Sequence, residues 1–217
     1  MRILIGNSVG ILLMTLSAGT VFLSAGLPRQ ECRAEENAVY RVYLGTYTQG
    51  VSRGIYTCEM DTARGTLSAP KLVAEARNPS FLALHPTLPR LYAVSELWQT
   101  DGPDRGAVSA FAIDDASGGL RELNQEAVGG AGPCHLAASP SGRFLVTANY
   151  GSGSVSVLPL DDEGRLRPRS CVVQHEGSGP NQSRQEGPHA HQTLFSPGGE
   201  ILLVPDLGID QILLYRL

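Results

Sequence analysis

The chain has 217 residues, 18% of them charged, with a formal net charge of −4. This mildly acidic balance excludes a nucleic-acid groove, which needs a basic surface to track phosphates, and a hydrophobic content of 42% excludes wholesale disorder. Gly at 25 and Pro at 14 suit many short strands and tight turns better than long helices.

The first predicted element is not part of a fold. Residues 3 to 28 carry no charged side chain, Arg2 supplies a positive start, and residues 11–27 are apolar or small. With Ala34 as a tolerable cleavage position and Cys32 at −3, residues 1–34 read as an export signal. The alternative is an uncleaved anchor, since an uncharged stretch this long is able to span a bilayer. The expected location is therefore periplasmic or extracellular, with membrane contact only if the segment stays uncleaved. Cys32 follows Arg29, Gln30 and Glu31, which do not suit lipidation. The remaining cysteines, Cys58, Cys134 and Cys171, form no CxxC pair and no zinc spacing with His. They are expected to be buried strand cysteines behaving as small hydrophobes.

Residues 39–76 predict three strands: VYRVYLGTYT (39–48), GIYTCEM (54–60) and a third around APKLVAEA (69–76). A repeat then takes over. PSFLALHP (79–86) followed by RLYAVSE (90–96) aligns with PCHLAASP (133–140) followed by RFLVTAN (143–149). Both align with HAHQTLFSP (189–197) followed by EILLVPD (200–206). Pro86 and Pro140 lie 54 residues apart, and Pro140 and Pro197 lie 57 apart. After each pair comes a further β-rich run, AVSAFAID (107–114), SVSVLPL (154–160) and QILLYRL (211–217). Turns that begin at Asp114 and Asp161 lead into fourth strands over 120–128 and 169–174. Four short antiparallel strands per repeat of this length make a propeller blade, and blades must stack on one another because none buries both faces alone. The fold class is thus all-β, a β-propeller of four-stranded antiparallel blades over residues 39–217. About three and a half blades are present, and the first is expected to lack its innermost strand. Closed propellers commonly have six to eight, so an incomplete ring is expected.

Glu96, Asn149 and Asp206 each stand six residues after Arg90, Arg143 and Glu200, at the end of the second strand of successive blades. They are candidates to ring the mouth of the channel, or else to cap turns; Glu96 suits capping least and is a catalytic candidate, with Asn149 and Asp206 candidates for substrate binding. His189 and His191 form an H-x-H pair whose side chains share a face if the segment is extended. No third and fourth metal ligand is evident nearby, so no metal is expected. His191 is the better candidate for a general base. His135 is a candidate binding residue or a buried, backbone-satisfied histidine, and His85 and His175 are expected to be structural or exposed. The Gly/Ser-rich loop 176–188 carries one cation, Arg184, placed to hold an anion bidentately beside the histidines.

LGTY (44–47), ANYGSGSV (148–155) and GSGPNQSRQEGPHAH (177–191) resemble the seven-bladed β-propeller lactonase family. This family includes propeller-type 6-phosphogluconolactonases and 3-carboxymuconate lactonizing enzymes. The resemblance spans residues 40–217, about the first half of a member. It implies a hydrolase that opens a small-molecule sugar lactone over the channel, without a cofactor, and matches His191 to a histidine proposed to act in the carboxymuconate enzymes. It also implies an arginine and a glutamate in the following blade, beyond Leu217. The competing expectations are a non-catalytic binding scaffold and a muconate-type cycloisomerase.

Overall fold

The computed structural model describes residues 38–98 and 106–217, with two short N-terminal strands, β1 (Arg2–Asn7) and β2 (Gly10–Leu12). No helix occurs among the described residues. The first sheet is built on β3 (Val39–Gly45) and β4 (Gly54–Asp61), with β5 (Thr66–Leu67) and β6 (Lys71–Glu75) both on β4. The second runs β7 (Leu82–Leu84), β8 (Arg90–Ser95), β9 (Ala107–Ile113) and β10 (Leu120–Ala127) as an antiparallel meander. The third repeats it with β11 (Pro133–Ala138), β12 (Phe144–Asn149), β13 (Ser154–Pro159) and β14 (Cys171–Gln174). The fourth has β15 (Leu194–Phe195), β16 (Ile201–Asp206) and β17 (Gln211–Arg216).

The expected blades are all present, with one difference. The inner edge of β3, expected to be empty, is paired antiparallel by β1, with Ile3 opposite Leu44. The rest of the segment read as a signal or anchor lies outside the described residues.

Strand alternation builds the core between blades rather than within them. On β8, Leu91 and Ala93 face the first blade and join Tyr43 and Ile55, while Tyr92 and Val94 face the third and join Leu136, Leu145 and Leu158. On β12, Leu145 turns back to the second blade, whereas Val146 and Ala148 meet Ala190, Leu202 and Val204 of the fourth. Because successive side chains point to opposite faces, each inner strand serves two interfaces at once. Burying a side chain of this size contributes about 1.5–3 kcal/mol, so the stacking dominates the stability.

Polar clamps set the blade-to-blade register. Tyr43 donates its hydroxyl to the Gly118 carbonyl at 3.0 Å, and one blade later Tyr92 donates to Gly164 at 2.9 Å. Both acceptors sit in the Asp-initiated turns before the fourth strands. Each turn is closed by its aspartate: Asp114 accepts from the Ser117 amide at 2.7 Å, and Asp161 from the Arg165 amide at 2.8 Å. Burial pushes the Tyr92 phenol far above its usual range, so it stays a donor. His85 is buried and structural: its Nε2 donates to the Gly142 carbonyl at 3.0 Å, and its Nδ1 accepts from the amides of Thr87 and Leu88.

The cysteines divide. Cys58 is buried as expected, and burial pushes its thiol up. Cys134 is half-buried and Cys171 exposed, which corrects the expectation for both. β14 shows only its Val173 half-buried among exposed neighbours, so Cys171 finds no core to enter.

Candidate active site

The second-to-third strand turns and the fourth-to-first strand connections of successive blades meet at one end of the stack. There they line a cleft of about 350 Å³ with Tyr47, Ser80, Glu96, Trp98, Cys134, Tyr150, Arg184, His191 and Leu207.

The three residues equivalent by repeat have three different fates. Asn149 is fully buried: its Nδ2 donates to Ser154 and Ser156 at 3.1 and 2.8 Å, and its Oδ1 accepts from Thr147 at 3.0 Å. Asp206 is also buried. One carboxylate oxygen lies 2.6 Å from His175 Nδ1, and the other accepts from the amides of His189 and Gly208 at 2.7 and 2.9 Å. His175, itself buried, is completed by the Tyr215 hydroxyl at 2.8 Å from its Nε2. Burial, and then the Asp206 charge, push the Tyr215 phenol up. Both side chains are saturated by protein groups, and neither lines this cleft, although Asp206 borders a more open hollow beside β16 and β17. Only Glu96 reaches the cleft, where it accepts hydrogen bonds from Tyr47 (2.9 Å) and from Ser80. Burial, and then this bond to Glu96, push the Tyr47 phenol up, so it remains protonated as a donor.

Asp206 explains how the histidine pair is held. By accepting from the His189 amide it anchors the end of the long connection between the third and fourth blades. A Cβ on Gly208 would stand 1.8 Å from the Gly187 carbonyl oxygen, so only glycine lets this connection lie so close to the turn. Gln185 ties its middle, donating to the Leu207 carbonyl at 2.9 Å and accepting from the Asn181 amide at 2.9 Å.

Tyr150 gathers the site. His189 stacks on its ring (centroids 4.5 Å apart, planes 14° from parallel) and donates Nδ1–H to its carbonyl at 3.0 Å. Glu186 lies 3.6 Å from His189 Nε2. His191 stands edge-on to the same ring at 5.6 Å, and Arg184 donates to the Tyr150 hydroxyl at 3.2 Å. The two histidines therefore share a neighbourhood but not a setting: His189 is held through Nδ1 and by its stacking on Tyr150. The exposed ring of His191 has no hydrogen-bond partner among the described residues, and it lines both the cleft and a more open hollow of about 560 Å³ beside β16 and β17. No group of three or more potential metal ligands occurs among the described residues. His135 lies away from the cleft, buried with its ring 4.0 Å from that of Phe81, and its Nδ1 accepts from the Thr193 amide at 3.3 Å. It does not line the cleft.

Sequence reasoning missed Tyr47, Ser80, Trp98, Cys134, Tyr150 and Leu207. Tyr47 and Tyr150 stand in the motifs LGTY and ANYG just beyond strands β3 and β12, and that position is the signal that would have found them.

A propeller stack with this cleft at the strand-turn end belongs to a defined family. Residues 41–217 match the model of the family described as lactonase, 7-bladed beta-propeller, and the chain belongs to it. Among its relatives, a 6-phosphogluconolactonase of Bacillus subtilis is 40% identical over 178 residues, covering 82% of this chain and 49% of the relative. Among solved structures, a putative 6-phosphogluconolactonase of Bacteroides fragilis superimposes with a TM-score of 0.76 at 39% identity, covering 84% of this chain and 49% of that one. The periplasmic gluconolactonase of Pseudomonas aeruginosa gives 0.75 at 34%, covering 82% and 50%. The chain spans about half the length of the relatives it matches.

Proposed function

We propose that the protein hydrolyses a sugar lactone, such as 6-phosphogluconolactone or its unphosphorylated counterpart, to the open-chain acid. The observation that carries this is the cleft itself, which sets an unpartnered imidazole, a carboxylate and a guanidinium around one small-molecule volume in a chain of the lactonase family. In this reading His191 takes a proton from water as the oxygen attacks the lactone carbonyl carbon. The tetrahedral oxyanion then collapses, the ring C–O bond breaks, and the proton returns from the imidazolium to the departing alkoxide. Arg184, exposed apart from its bond to Tyr150, holds the anionic end of the substrate. Glu96, fixed by Tyr47 and Ser80, orients hydroxyls or steadies the imidazolium.

Export is part of the proposal. The uncharged stretch after Arg2 supports it, and the Pseudomonas relative is described as periplasmic. A phosphorylated sugar lactone is an intracellular metabolite, so export favours an unphosphorylated lactone. The test is a panel of lactones followed by acid release, with and without a 6-phosphate, using the protein and its His191→Ala variant. Loss of about 10²-fold or more in turnover is expected. Full turnover by His191→Ala would remove His191 as the base, and no turnover of any lactone by the parent would remove the hydrolytic reading.

A further inference from the structure

Trp98 is the chain's single tryptophan, and 49% of its surface is exposed although it lines the cleft. Its surroundings are built. A Cβ on Gly132 would meet Cδ2 and Cε2 of the indole, both at 3.4 Å, and one on Gly151 would meet Cε3 at 3.2 Å. Cδ2 and Cε2 are the ring-fusion atoms, which a neighbour reaches first only by approaching the flat of the ring. One indole face therefore rests on two glycines of the third blade. The ring is braced by Tyr150, whose ring lies at 67° with centroids 5.6 Å apart. The loop is fixed as well: Leu97 accepts from the Gly132 amide at 3.0 Å, and Gly132 in turn from the Tyr150 amide at 2.9 Å. A large aromatic surface is thus backed and held in place, with about half of the residue's surface exposed.

The rest of the lining is mixed: Glu96, Ser80, Arg184 and His191 are polar or charged, beside the apolar Leu207. An aromatic face in one cleft with hydrogen-bonding groups matches a sugar ring, whose C–H groups carry partial positive charge toward the negative π face while its hydroxyls point outward. We propose that Trp98 is a specificity-determining residue, the platform on which the C–H face of a pyranose-type lactone ring stacks, in the cleft it shares with Glu96 and Arg184. This rests on the lactonase reading for its substrate, not for its geometry.

The test uses D-glucono-1,5-lactam, a non-hydrolysable ring analogue, with acyclic sorbitol as the control. Lactam binding to the full chain is expected to change the emission of the single tryptophan saturably, and sorbitol to leave it unchanged. By calorimetry Trp98→Ala is expected to weaken lactam binding about three- to tenfold, the size of one aromatic contact, with Trp98→Phe in between. With a hydrolysed lactone, KM is expected to rise and kcat to hold. Unchanged emission, no lactam binding, or equal affinity in Trp98→Ala would overturn the platform. The two readings fail separately. Absent turnover of every lactone with an intact emission response would remove the hydrolase and leave the platform. Turnover with unaltered KM in Trp98→Ala would do the reverse.

Discussion

Replacing Asp206 by alanine tests whether this carboxylate is a structural tie rather than a ligand for substrate. Its side chain has no exposed surface, and neither does the Asp206–His175 contact offer water a way in, since the His175 side chain is 1% exposed. Alanine would leave three donors without an acceptor: His175 Nδ1 and the amides of His189 and Gly208. Each orphaned buried group costs about 1–3 kcal/mol before relaxation, and the three lost bonds do not relax independently. A loss of about 4 kcal/mol is therefore expected, a large part of the 5–15 kcal/mol typical of a folded domain. Asp206→Asn keeps the shape and can still accept from both amides. The His175 ring can then shift its proton to Nε2 and donate to Tyr215, so this variant should lose only about 1–2 kcal/mol. Urea unfolding followed by far-UV circular dichroism measures both. Loss of less than 1 kcal/mol in Asp206→Ala would refute the reasoning, and an unchanged stability with a raised KM would return Asp206 to the substrate.

Arg184→Ala should raise KM with little change in kcat, because it removes binding shared by substrate and transition state; an equal fall in kcat would place it at the reacting carbonyl. Burial, offset in part by the Gly142 carbonyl, holds His85 below its usual range, with Arg90 acting in the same direction as burial. Below about pH 6.5 the unfolded chain takes up a proton that the native ring refuses, so stability should fall as the pH drops from there toward the native value. Comparing urea midpoints against pH for the parent and His85→Gln checks this, and parallel curves would contradict it. Finally, Leu194, Ile212 and Leu214 are more than half exposed, and β17 has no neighbour on its outer edge among the described residues. A polypeptide of residues 1–217 should self-associate through this surface, and a single monomeric species in sedimentation would count against it.

Strand positions, the aspartate turns and the blade period were legible because they depend on neighbours a few residues away. A period of two and an Asp-to-Gly spacing are local properties, and they placed β8 to β13, β16 and β17 to within about two residues, while β7 and β15 are much shorter than the runs that contain them. Which residues of β8 and β12 face which neighbour is a different matter: alternation separates the two sets, and the structure assigns each set to its blade. The fates of Glu96, Asn149 and Asp206 did not follow. The repeat makes them equivalent, and what separates them is their partners. Ser154 and Ser156 on β13 absorb Asn149, His175 from the preceding connection absorbs Asp206, and only Ser80 and Tyr47 meet Glu96 while leaving it at the cleft. The same holds for the aromatic residues. Tyr150 gathers His189, His191, Arg184 and Trp98 from two separate parts of the chain, 98 lying 52 residues before it and 191 lying 41 after. Periodicity states which face a residue takes; which groups wait on that face is decided only when distant turns are brought to the same end of the stack.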